Sequence, residues 1–238
     1  MKKLHIITPV KDSPTTTLKT IEGIMGSEIG VDFSYFIYND FSADETSLML
    51  DQKSVEMGFT HIKLADITSH PSPNYFLILQ MAQQKAIEED AHLIIVESDV
   101  IINKNTLQEM SNFTTSLAKP GMIAAVTVNE EGEINFPYLY ATKMSEAVHL
   151  TRKRLSFCCT LISNEMLRSF DYKLLDSSKS WYDVFISHKS VELGFNNYLL
   201  TNLPVYHLPH SSRPWKQLKY SNPLKYYWRK LLNNKDKI

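Results

Sequence analysis

Leu93, Ile94, Ile95 and Val96 form an unbroken apolar run, followed at once by Glu97, Ser98 and Asp99. A short, largely β-branched run of this kind fits a strand covered on both faces, as in a parallel sheet between two layers of helices. If the backbone stays extended, carboxylates at i and i+2 point to the same side. Two like charges converging at a buried strand end require a positive counterpart. A hard divalent cation, which takes oxygen ligands, is one candidate. The other reading is a strand end turning into solvent, with one acid favouring the start of the next helix.

At 238 residues the chain can bury one good core, and a net charge of -1 points to no nucleic-acid partner. Cys158 and Cys159 are the two cysteines. Sequence neighbours rarely bridge each other and these fit no metal spacing, so a reduced, cytosolic setting is expected. The apolar run after Lys2 and Lys3 is too short for a signal segment and reads as a first strand. No stretch is long enough to span a membrane.

From residue 4 to residue 128, strands alternate with helices. Strands are predicted over residues 4–8, 31–38, 62–65, 93–96 and 122–128, with helices over 14–25, from after residue 46 to 57, over 76–88 and over 104–117. Ser13 before Pro14 supplies a capping hydroxyl and a proline at the first helical position, and Gly58 stops the second helix. The alternation predicts an α/β fold with a mainly parallel central sheet flanked by helices. Ligands bind such sheets at the carboxyl ends of the strands, where Thr8, Asp40, Glu97 and Asp99 fall.

The second half predicts a hairpin around Gly132, then a strand over residues 155–162 whose small side chains leave room for a ligand. A short helix capped by Asn164 follows, then a helix over 181–193 stopped by Gly194, and an edge strand over 198–207 containing Pro204. In the basic tail, Lys219, Lys225, Arg229 and Lys230 interleave with Tyr220, Leu224, Tyr226, Tyr227, Trp228 and Leu231. That pattern fits an interfacial amphipathic helix at the inner face of a membrane, or a final helix docked on the domain.

Five motifs in order resemble the family 2 glycosyltransferases, which have the GT-A fold. Thr8, Pro9 and Val10, followed by Asp12, are similar to that family's opening strand and turn. Residues 38–46 resemble its V-D-D-G-S-x-D-x-T run, and Glu97-Ser98-Asp99 sits where its D-x-D motif belongs. Tyr182-Asp183 sits at its E-D motif, and Val205-Tyr206-His207 resembles its closing V-x-H. The match covers residues 4–212, with departures at Asn39, Glu97 and Tyr182.

The resemblance implies one GT-A domain over residues 1–212, with a nucleotide-sugar half (1–128), an acceptor half (129–212) carrying a smaller β region, and a tail (213–238). It implies an inverting, Mn2+- or Mg2+-dependent transferase. The donor is a nucleotide-diphosphate sugar, UDP-linked, and the acceptor a hydroxyl of a glycan or lipid-linked molecule. Thr8, Pro9, Val10, Asp40, Glu97, Ser98 and Asp99 are the implied donor residues, with Asp40 accepting from the base and Thr8 offering its hydroxyl. Asp99, Glu97 and His207 are the implied metal ligands, with His210 competing for the histidine role. Asp183 is the implied general base, and Trp181 and Tyr182 flank the acceptor. Each has a plainer alternative: a turn or cap for Asp40, helix starts for Asp44 and Asp183, core packing for Trp181 and Tyr182. Asn74 offers a donor contact or a helix cap, and Arg213 and Lys216 a diphosphate clamp or solvated charge. A different class of function stays open beside the enzyme: a catalytically silent, nucleotide-sugar- or glycan-binding member of the same fold.

Overall fold

A computed structural model of the chain describes residues 1–179 and 181–208. The compact unit runs Met1–His207. His210, Arg213, Lys216 and the basic tail lie outside the described residues. Strand β1 (Leu4–Val10) leads to α1 (Pro14–Met25), β2 (Phe33–Asn39), α2 (Asp44–Met57) and β3 (Thr60–Lys63). Helix α3 (Tyr75–Glu88), β4 (His92–Val96), β5 (Val100–Ile101), α4 (Thr106–Ser116) and β6 (Pro120–Val128) follow. The rest is β7 (Val148–Thr151), β8 (Cys159–Ile162), α5 (Asn164–Ser169), α6 (Tyr182–Glu192) and β9 (Asn196–His207).

The fold is α/β, and the sheet order is β3-β2-β1-β4-β8-β6-β9-β5, with β7 beside β9. Strands β3, β2, β1 and β4 are parallel, β8 enters antiparallel between β4 and β6, and β9 is parallel to β6. Strands β5 and β7 add a smaller antiparallel region on β9.

Strand β4 explains the two-layer core. Leu93 and Ile95 join the cluster built with Ile78 and Leu79 of α3, Met166 of α5 and Ile186 of α6. Ile94 and Val96 face the opposite cluster, with Ile21 and Ile24 of α1, Leu50 of α2 and Met110 of α4. All four are fully buried, which stabilises the fold by about 1.5–3 kcal/mol per side chain.

Several local expectations change. Ser13 is the N-cap of α1, but its hydroxyl makes no cap, because the residue is left-handed at φ 59. Ser163, not Asn164, caps α5: its Oγ accepts from the Met166 amide. Residues 155–158 are loop, so β8 begins at Cys159. The 198–207 segment is not an edge. Strand β6 pairs along one side of β9, and β7 and β5 cover Asn197–Leu200 and Tyr206–His207 on the other. Pro204 pairs with Val126 of β6 and on its other side falls between those two pairings, where its carbonyl accepts from Asn103 Nδ2. Among the described residues, no helix is long and apolar enough to cross a membrane.

Candidate active site at the carboxyl edge of the sheet

The first two loops of the edge are clamped together. Asp12 N donates to Ser42 Oγ (2.9 Å), and Ala43 N donates to Asp12 Oδ1 (2.8 Å). Lys11 Nζ donates to the Phe41 carbonyl. Asp12, Ser13 and Phe41 all have positive φ, at 59, 59 and 58°. Non-glycine residues held there store about 1–3 kcal/mol each, and such strain concentrates at binding sites.

Asp40 is buried and anchors the next loop. Its Oδ2 accepts from Ser72 Oγ (2.8 Å) and from Asn74 N (2.8 Å), and its Oδ1 accepts from Asn74 Nδ2 (2.7 Å). Asn74 therefore spends its amide on Asp40 and on the His70 carbonyl, and does not cap α3. With roughly four lone-pair positions on a carboxylate, about one remains for a further donor. Thr8 corrects one expectation. Strand alternation turns it into the core, where its Oγ1 accepts from Tyr35 Oη (2.9 Å), so the hydroxyl has no exposed face to offer a ligand. Pro9 and Val10 end β1 beside Tyr38 and Asn39. Asp44 is exposed in the first turn of α2, as a helix-start acid should be.

The acids after β4 converge by a route different from the one the sequence suggests. Glu97, Ser98 and Asp99 are not extended: the Val100 amide donates back to the Glu97 carbonyl (3.1 Å), turning the chain into β5. Val100 then pairs with His207 of β9. The result sets Asp99 Oδ2 3.4 Å from His207 Nε2, with both side chains buried. His207 Nδ1 lies 2.7 Å from the Phe136 carbonyl. A carbonyl only accepts, so Nδ1 carries the proton in that bond, and the contact fixes how the ring faces Asp99. Burial by itself lowers the His207 imidazole, but hydrogen bonding and charge from Asp99, then Glu97, outweigh it and hold the group above its usual value.

Cys158 joins this cluster, which the sequence did not foretell. Glu97 N donates to the Cys158 carbonyl (3.0 Å), and Cys158 Sγ lies 3.4 Å from Glu97 Oε2. One ligand atom each from Glu97, Cys158 and His207 falls within 4.8 Å of the others. Burial, followed by the Glu97 charge, pushes the Cys158 thiol well above its usual range. The only sequence signal was the run of small residues before β8. Cysteine spacing pointed away from metal because the other ligands come from distant segments.

Asp183 lies in the first turn of α6. Its Oδ1 accepts from the Val184 amide (2.9 Å), and its Oδ2 is 3.4 Å from Arg154 Nη1. Arg154 stands over the Phe136 ring, 5.9 Å from its centre. Phe136 thus touches both the Arg154 guanidinium and the His207 imidazole. Arg154 is held against α6 because the Leu155 amide donates to Ser187 Oγ (2.9 Å). Neither Arg154 nor Phe136 carries a sequence pattern of its own. Trp181 is 42% exposed, but Tyr182 is buried in the core. Its ring stacks on Tyr75 (6.3 Å) and Phe76 (5.9 Å), which removes it from the acceptor-facing set.

The donor types suit a divalent cation: Glu97, Cys158 and His207 offer one ligand atom each within 4.8 Å of the others, and the Asp99 carboxylate meets the imidazole, whose second nitrogen is fixed by a carbonyl.

No protein-family model matches the sequence. No curated protein matches it either. Solved structures do. Residues 1–349 of S. aureus TarS in complex with UDP-GlcNAc align at a TM-score of 0.68 and 16% identity, over 89% of this chain and 60% of that one. The mannosyltransferase PcManGT from Pyrobaculum calidifontis, in complex with GDP-Man and Mn2+, aligns at 0.63 and 11% identity, over 96% and 64%. GalNAc-T7 with UDP, GalNAc and Mn2+ aligns at 0.64 and 10%, over 89% and 45%. The chain therefore spans less than two thirds of each of these solved chains. From its sheet order and these likenesses, the domain has the GT-A glycosyltransferase fold.

Proposed function

We propose that this chain transfers a sugar, with inversion, from a UDP-linked donor to a hydroxyl of a glycan or lipid-linked acceptor. The observation that carries the reading is the meeting of Asp99 with His207 beside Glu97, at the strand edge where ligands bind in open α/β sheets. The neighbours of known structure were solved with UDP-GlcNAc, or with GDP-Man and Mn2+, which supports a nucleotide sugar and a divalent metal here. Asp99, Glu97 and His207 would hold Mn2+ or Mg2+. Bound there, the cation supplies positive charge against the departing diphosphate.

The chain's own groups divide the remaining work. Pro9, Val10 and Asp40 border the base, Asp40 through its remaining lone pair. Ser98 and Glu97 line the sugar-diphosphate side. Asp183 takes the proton from the acceptor hydroxyl as its oxygen bonds to the anomeric carbon and the bond to the diphosphate breaks. Arg154 is a positioning residue, restraining the Asp183 carboxylate. Trp181 offers an exposed aromatic face to the acceptor.

A donor screen tests this without knowledge of the acceptor. Slow hydrolysis is followed over a panel of UDP and GDP sugars, for the wild type and Asp183→Asn. Turnover of one donor, with Asp183→Asn leaving that hydrolysis intact and abolishing transfer once an acceptor is found, is the expected result. Loss of donor binding in that variant would contradict the assignment of the base. A silent, nucleotide-sugar-binding member of the same fold is the second reading, favoured by the Arg154 contact on one Asp183 oxygen. Tight donor binding with no turnover of any donor would select it.

A further inference from the structure

We propose that Cys158 is a sulfur ligand at the Glu97–His207 end of the cation site, so that the site takes thiophilic divalent ions such as cadmium, zinc and cobalt(II) in addition to manganese. This rests on the metal reading of Asp99 given above. The geometry is that of a ligand cage. Around one cation, ligand–metal lengths near 2.0–2.3 Å place neighbouring donor atoms roughly 3–3.6 Å apart. Cys158 Sγ is 3.4 Å from Glu97 Oε2, and His207 Nε2 is 3.4 Å from Asp99 Oδ2. The Glu97–Cys158 edge is therefore already at length, and His207, itself in contact with Asp99, completes a triad whose donor atoms lie within 4.8 Å of one another and would draw in by up to about 1.2 Å around a cation.

The sulfur is also held in place. Cys158 is 2% exposed, and its carbonyl receives the Glu97 amide at 3.0 Å. Ser156 Oγ lies 3.3 Å from the sulfur, a contact of the kind that orients a ligand from behind. The adjacent cysteine is a built-in contrast. Cys159 turns its Sγ to Met110 Sδ at 3.8 Å rather than to Glu97. Soft sulfur contributes little to a magnesium site but strongly to cadmium, zinc or cobalt. On coordination the thiol gives up its proton to solvent, and the thiolate forms the bond.

The test is a cobalt(II) titration of the reduced, metal-free full chain under anaerobic conditions, read by absorbance. The expected result has two bands: a near-ultraviolet thiolate-to-cobalt charge-transfer band and visible ligand-field bands. Cys159→Ala keeps both. Cys158→Ser loses the charge-transfer band, keeps the visible bands, and weakens cadmium binding by at least about tenfold with manganese changed less than about threefold. Cys158→Ala serves as the second variant if serine at this buried position does not fold. Visible bands without a sulfur band in the wild type would overturn the proposal and leave Asp99, Glu97 and His207 as an oxygen–nitrogen site. No cobalt binding at all would overturn both readings.

Discussion

Replacing Asp40 with alanine removes the acceptor for three donors at once: Ser72 Oγ, Asn74 N and Asn74 Nδ2. Hydrogen bonds to an ionised partner contribute about 1.5–3 kcal/mol each, so the gross loss is roughly 4.5–9 kcal/mol. Two effects reduce it. Ser72 is half-buried and regains water, and the variant no longer buries a charge. A net destabilisation of about 3–4 kcal/mol is expected, a large share of the roughly 5–15 kcal/mol of a typical domain. With a urea slope near 2–3 kcal/mol/M, the midpoint should fall by about 1–2 M at unchanged slope. Asp40→Asn should fall between the two, because its amide faces the Asn74 amide donor. Ser72→Ala should lose only about 1 kcal/mol. Urea unfolding followed by circular dichroism measures all three. A shift below about 0.3 M for Asp40→Ala would refute the network, since it corresponds to less than 1 kcal/mol.

Gly121→Ala should destabilise by about 2–3 kcal/mol in the same assay, because an added Cβ would meet Ser190 Oγ and lie 2.7 Å from Phe195 Cβ. His5 is fully buried against Phe36, and burial holds its imidazole below the usual value, against the opposing effect of Glu89 and with Lys3 and Lys85 assisting. The unfolded chain therefore takes up a proton that the folded one refuses. Stability from this group is full above about pH 6.5 and is lost as pH falls toward the depressed folded value. His207 has the opposite sign, so the wild-type minus His5→Phe stability difference across pH 5–8 isolates the His5 contribution and should rise with pH, levelling off above about pH 6.5. Arg154→Met should lower kcat by roughly tenfold while leaving the donor Kd unchanged, because it frees the Asp183 carboxylate to reorient. Steady-state kinetics with donor calorimetry separates the two.

Much of the fold follows from local signals. The Ser-Pro start and apolar spacing fix α1 at Pro14–Met25, and Gly58 ends α2 with φ 81°. The apolar run before Glu97 is β4, buried on both faces. What the sequence hides is set by distant pairing. Nothing local says that β5 and β7 cover β9, so residues 198–207 read as an edge. The same long-range pairing, Val100 with His207, brings Asp99 to the imidazole, through a turn rather than through strand alternation. Thr8 and Tyr182 lie in motifs yet face inward, because strand parity in one case and an aromatic stack in the other decide their direction. Cys158 and Arg154 were invisible as site residues, since the carboxylates they meet, Glu97 and Asp183, lie 61 and 29 residues away.

The central claim is that Asp99 anchors a cation which strengthens the hold on a nucleotide diphosphate. Calorimetry of UDP binding, with and without Mn2+, tests it on the wild type, Asp99→Ala and the volume-conserving Asp99→Asn. The account predicts that Mn2+ tightens wild-type UDP binding by at least about tenfold and that both variants lose this gain while remaining folded. Equal UDP affinity with and without Mn2+ in the wild type, or a full Mn2+ gain in the variants, would contradict it.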